Sequence, residues 1–292
     1  MQVGAAMVAT RYVVADAGPT SLAFLRYVVG FLCLVPALLA ARPLPRFAPR
    51  DLLPISLLGA MQFGLLIALL NFGMRTVTAG RAALLFATFP LMTMMLAALF
   101  GHERLTFRKL IGILLTIAGV ALALGEKLTA TRAGEGWPNE IWLGEAAILA
   151  SAFCGALCSV LYRPYLKRYP ALPIGALAML ASVAFLAFLA AGEGFFATPP
   201  SFTAKGWLAI LFIGASSGIG YFLWLWALRH TAATNVTIFL ALSPITAALL
   251  GAMLLGEALS PEALGGLGAV LLGLAVALAP GHRKVESSRS PA

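Results

Sequence analysis

Residues 90–124 read PLMTMMLAALFGHERLTFRKLIGILLTIAGVALAL, and residues 244–278 read PITAALLGAMLLGEALSPEALGGLGAVLLGLAVAL. The two stretches align at a constant offset without a gap. Pro90 falls on Pro244, Glu103 on Glu257, Leu105 on Leu259, Gly112 on Gly266 and Gly119 on Gly273. Several other identities are Leu or Ala, which any apolar helix shares. The proline, the glutamate and the two glycines carry the information, because each has a distinct backbone or charge role. Just upstream, Arg75 falls on Arg229 and Ala79 on Ala233. The chain reads as an internal repeat, which must be found before any element is assigned.

Outward from these stretches the apolar runs continue: 2–15, 20–41, 52–73, 80–101, 109–125, 142–164, 172–192, 206–228, 232–256 and 263–280. Most approach the roughly 20 residues that cross a bilayer as a helix. They are apolar on all faces and too long for barrel strands of about 10 residues. Helices and closed barrels alone satisfy backbone groups in lipid, so the expected fold is all-α and integral to the membrane. Composition agrees. Hydrophobic residues make up 61% of the 292 and charged residues 11%, against about 25% charged in a soluble domain. A soluble enzyme and a disordered chain are both excluded. The first run is short for a span, so the native chain is expected to begin upstream of Met1.

Ten runs give five helices per half, 1–125 and 142–280, joined by an outer linker at 126–141 and followed by a tail at 281–292. Five is odd, so the halves insert with opposite orientations. That is an inverted-topology repeat, the plan of many secondary transporters.

The net charge of +9 suggests nucleic acid, but its placement argues for topology. The gaps after helices 2, 4, 6 and 8, with the tail, hold Arg42, Arg46, Arg50, Arg104, Arg108, Lys109, Arg163, Lys167, Arg168, Arg229, Arg283, Lys284 and Arg289. The opposite gaps hold only Arg75, Arg81, Lys127, Arg132 and Lys205. The positive-inside rule puts both termini in the cytoplasm. The partners are the lipid bilayer and a small-molecule substrate, with no nucleic acid; oligomeric state is left open.

The repeat pattern, Pro followed by Glu-x-Leu and two glycines seven apart, resembles the EamA-type branch of the drug/metabolite transporter superfamily. Ala9-Thr10-Arg11-Tyr12, and Pro19 followed by Leu25-Arg26-Tyr27, resemble that family's helix 1 and the start of its helix 2. The resemblance implies ten helices in two inverted halves. It implies a central cavity formed by helices 1–4 and 6–9, with helices 5 and 10 bracing the outside. It also implies a cell inner-membrane carrier that exports amino acids or related metabolites by alternating access.

The residues narrow the site. Pro90 and Pro244 each remove a backbone donor and free the carbonyl four residues earlier, at Phe86 and Leu240; they are candidate hinges or gates. Arg11 is a cation within an apolar run, a functional candidate by default, here for an anionic substrate group. Arg26 is a second such cation, with snorkelling to the interface as its alternative. Gln62, Tyr221 and Trp224 lie mid-span on expected cavity helices and are candidate substrate contacts. Trp137, Trp142, Trp207 and Trp226 read as interface anchors. No carboxylate lies mid-membrane to act as a proton relay. Aromatic or other large neutral amino acids are the expected substrates, ahead of nucleotide sugars or sugar phosphates, which need more cations.

Other chemistry is not supported. Gly214–Gly220 mimics the glycine-rich turn of a dinucleotide site but lies within an apolar run, where small residues pack helices. Cys33, Cys154 and Cys158 form no disulfide framework, and no cofactor or metal is expected. A membrane enzyme handling diphosphates would need aspartate clusters, and Asp16 and Asp51 stand alone.

Overall fold

The computed structural model describes residues 6, 9, 13, 18–41, 45–76, 85–103, 106–123, 138–198, 200–242 and 261–278. Arg11, Pro244 and Glu257 lie outside the described residues, as do Trp137 and the tail.

Prolines open many of the helices, where the missing N–H costs nothing and φ is already helical. Pro19 begins α1 (Pro19–Ala40), Pro49 begins α2 (Pro49–Gly59) and Pro261 begins α10 (Pro261–Leu278). After α2 the chain continues through one π-helical segment, Ala60–Leu65, directly into α3 (Leu66–Thr76). Next come α4 (Phe89–Leu99), α5 (Phe107–Ala123), α6 (Pro138–Arg168), α7 (Ala171–Gly192) and α8 (Ala204–His230). Thr203 caps α8 by accepting from the Gly206 amide at 3.1 Å. The short α9 (Ala233–Thr237) runs into a 3₁₀ turn, Ile238–Ala241. Every regular element among the described residues is a helix.

Five stretches are long and apolar enough to cross a membrane: Thr20–Ala40, Pro49–Gly73, Trp142–Arg168, Ala171–Gly192 and Ala204–His230. Their outer faces carry large apolar side chains. Phe188 is 78% exposed and Leu208 66%, a surface that suits lipid and not water. Trp142, Trp207 and Trp226 are exposed on that surface near helix ends.

Two close crossings set the packing. Helices α5 and α10 pack chiefly on each other. A Cβ on Gly112 would lie 2.6 Å from the Gly273 carbonyl oxygen, and one on Gly119 would lie 2.8 Å from that of Gly266. The four glycines matched in the sequence therefore meet crosswise. Helices α1 and α8 cross at Gly30, Gly214 and Gly218, where a Cβ on Gly218 would lie 2.5 Å from the Gly30 carbonyl oxygen. The glycine-rich stretch of α8 is thus a packing surface.

The charged residues gather at the two ends of the bundle. At one end buried Asp51 accepts from the Tyr169 hydroxyl at 2.8 Å and pairs with Arg168 at 3.4 Å. At the same end Glu103 pairs with Lys109 at 3.1 Å and Arg163 at 3.7 Å, and accepts from the Thr234 amide at 3.3 Å. At the other end Glu193, just past α7, accepts from the Thr20 amide at 3.1 Å, the Ser21 amide at 2.9 Å and the Ser21 hydroxyl at 2.8 Å. It caps the start of α1 across the fold.

Candidate functional site: a central aromatic cavity

A cavity of about 210 Å³ lies among α1, α3, α8, the π-helical segment and the segments before Pro90 and after Thr237. Six of its seventeen lining residues are aromatic. Phe63 packs edge-on to Tyr221 with ring centroids 3.9 Å apart and to Tyr27 at 5.1 Å. A second row runs from Phe86 to Phe89 at 5.4 Å and on to Trp224 at 6.3 Å.

The π-helical segment aims part of this wall. A π turn accommodates one extra residue without ending the helix and is frequent at functional sites. The Leu66 amide bonds the Met61 carbonyl five residues back. Cys154 of α6 adds a thiol donor to that carbonyl at 3.3 Å, and Cys158 approaches the Leu58 carbonyl at 3.8 Å. The two thiols therefore serve packing and backbone satisfaction, and no metal cluster of three or more ligands occurs among the described residues. Gln62 and Phe63, both in the π turn, reach the cavity.

Three buried polar atoms of lining residues have no hydrogen-bond partner among the described residues: Gln62 Oε1, Tyr221 Oη and Trp224 Nε1. A buried polar group without a partner costs about 1–3 kcal/mol, so a side-chain shift that turned these atoms toward a ligand would be favoured. Arg26 also lines the cavity, together with Ser216, Ser217 and Asn71. Its Nε donates to Ser217 Oγ at 2.6 Å, and its guanidinium carbon lies 5.6 Å from the Tyr27 ring centroid. Ser217 in turn donates to the Ile213 carbonyl at 2.6 Å.

The structure brings Gln62, Tyr221 and Trp224 together on one wall. Pro90 is buried as the second residue of α4, after a turn at Ala87–Thr88. The helix is therefore interrupted just before the proline instead of continuing through it. Thr88 donates its hydroxyl to the Leu85 carbonyl at 2.6 Å within that turn. The 3₁₀ turn at Ile238–Ala241 is a comparable loosening in the second half. Phe86 and Leu240, each four residues before one of the two prolines in the sequence, both line the cavity. Tyr27, Phe63, Phe86 and Phe89 were missed by residue type, because an aromatic in an apolar run looks the same facing lipid or facing a cavity.

Apolar membrane-length helices around a lined cavity, with Asp51 and Glu103 in ion pairs at one end of the bundle, define a multi-pass membrane transport protein. The family model for the EamA-like transporter family matches residues 2–125 and again 142–279, and the chain belongs to that family. It is a transporter and not an enzyme. A protein of Streptantibioticus cattleyicolor named "Probable terminal-alkyne amino-acid exporter" is 33% identical over 227 residues, covering 75% of this chain and 71% of that one. The "Uncharacterized inner membrane transporter YedA" of Escherichia coli K12 is 31% identical over 252 residues, covering 82% and 74%. The "Uncharacterized transporter YdfC" of Bacillus subtilis is 30% identical over 242 residues, covering 82% and 75%. A crystal structure with 21% identity superposes with a TM-score of 0.79, covering 97% of this chain and 95% of that one, and shares the fold.

Proposed function

We propose that this transporter is an alternating-access carrier that exports aromatic or other large neutral amino acids across the cell inner membrane. The observation that carries the reading is a cavity lined by six aromatic residues, with Gln62 Oε1, Tyr221 Oη and Trp224 Nε1 of its lining residues without a partner among the described residues. Such a site suits a solute with an apolar body and a few hydrogen-bonding groups. The 33%-identical relative named as a probable amino-acid exporter supports the substrate class. A sugar phosphate or nucleotide sugar would place several negative charges in a cavity whose described lining holds one cation, Arg26.

The architecture we propose is ten spans in two inverted halves. Support comes from the double family match and from the crossed glycine pairs. Gly112 meets the repeat partner of Gly119, and Gly119 meets the repeat partner of Gly112, the reciprocity a two-fold relation requires. Pro90 and Pro244 act as paired hinges, and Arg11 contributes an anion contact. The basic gaps put the Glu103 end in the cytoplasm with both termini. In that orientation the Glu103 and Asp51 networks lie on the cytoplasmic side of the bundle.

Counterflow in proteoliposomes with a panel of labelled amino acids tests the reading. Exchange of phenylalanine, tyrosine, tryptophan or leucine is expected. Absence of exchange for every amino acid, with monodisperse protein, overturns the substrate assignment.

A further inference from the structure

Arg26 sits seven residues into α1. Its guanidinium lines the cavity and is anchored from the opposite helix by Ser217 Oγ at 2.6 Å. Ser217 spends its own hydrogen on the Ile213 carbonyl at 2.6 Å, so its oxygen is fixed as an acceptor for Nε. The Tyr27 ring lies 5.6 Å from the guanidinium carbon and restricts it from a second side. The anchor consumes one of the five guanidinium N–H donors. The remaining four, on the two terminal nitrogens, form the planar fork that matches a carboxylate. Among the described residues no Asp or Glu pairs with Arg26. A cation in a low-dielectric wall without a counter-ion is costly, and an anion entering the cavity relieves that cost.

We propose that Arg26, held by Ser217, is the receptor for the carboxylate of the transported solute. This rests on the amino-acid reading for the solute's identity but not for the anion site itself. The carboxylate lies on the terminal nitrogens of Arg26, and the apolar body extends toward Phe63, Tyr221 and Trp224.

The test measures binding of three probes by their stabilisation of the purified protein against heat: L-phenylalanine, 3-phenylpropionate (carboxylate only) and phenethylamine (amine only). In Arg26→Gln, affinity for the two acids is expected to fall roughly 10–100-fold, the range for losing a hydrogen bond to a charged group, with phenethylamine unchanged. Arg26→Lys keeps the charge without the fork and is expected to fall between. Equal loss of all three probes in both variants, no selective loss of the acids, or no acid binding by the unmodified protein overturns the assignment. If the acids bind through Arg26 while counterflow shows no amino-acid exchange, the substrate reading fails and the anion site stands.

Discussion

The α1·α8 crossing gives the sharpest mechanical prediction. A Cβ placed on Gly218 would stand 2.5 Å from the Gly30 carbonyl oxygen and 3.1 Å from its Cα. Carbon–oxygen contacts settle near 3.3–3.6 Å, so Gly218→Ala must push the two helices apart locally by about 1 Å. The neighbouring Arg26 Nε–Ser217 Oγ bond, 2.6 Å long, would then stretch to about 3.6 Å, beyond hydrogen-bond range. Overpacking of this kind costs about 1–3 kcal/mol, a drop in thermal midpoint of roughly 2–10 °C. The affinity for acid-bearing solutes is expected to fall at the same time. Gly119→Ala is the control: its Cβ would stand 2.8 Å from the Gly266 carbonyl oxygen, at a crossing remote from the cavity. It is expected to lower the midpoint to a similar degree and leave the KM for counterflow unchanged. Thermal unfolding in detergent and KM in proteoliposomes read the two effects separately. A Gly218→Ala protein with unaltered midpoint and KM would refute the reasoning, because the crossing would then have room for a methyl group.

Three further outcomes follow from the bundle ends and from helix 1. Burial alone would raise the Glu103 carboxyl, but hydrogen bonding from Thr234 and the Lys109 charge outweigh it and hold it below the ordinary 4.5. A depressed folded value means its stabilisation is complete above about pH 4.5 and is lost as pH falls through the lower folded value. Thermal midpoints scanned from pH 5 down to pH 3 should therefore fall less steeply in Glu103→Gln than in the unmodified protein; parallel curves would count against it. Glu193→Ala removes the cap from Thr20 and Ser21 and should cost about 0.5–2 kcal/mol, visible as a lower midpoint, with no loss if water replaces the carboxylate. Arg11→Ala should weaken zwitterionic solutes more than amines in competition assays, and an equal effect on both would remove Arg11 from the site.

Much of the fold was legible because membrane helices announce themselves by length and apolarity. The matched glycines of α5 and α10 were readable as a pattern, but that they cross each other is a property of space and not of spacing. For the site, Gln62, Tyr221 and Trp224 were selected as mid-span groups with polar atoms, and all three reach the cavity wall. The aromatic partners were invisible for lack of any polar mark. Arg26 stood between interface and interior on sequence alone; only the opposing Ser217, distant in the chain, decides its surroundings. The π turn had no signal either, since Ala60–Leu65 reads as ordinary helix, and only its neighbours on α6 reveal the extra residue.

The cap on α1 also sets a schedule for biosynthesis. The amide of Ser21 waits for a carboxylate 172 residues further along the chain. At 5–20 residues per second that interval is about 9–34 s, during which α1 is already made while its leading amides have only water or lipid headgroups to bond. The first half of the protein thus enters the membrane with an unfinished helix end that only the second half can complete. A chain truncated before Glu193 would keep that end open for its whole lifetime.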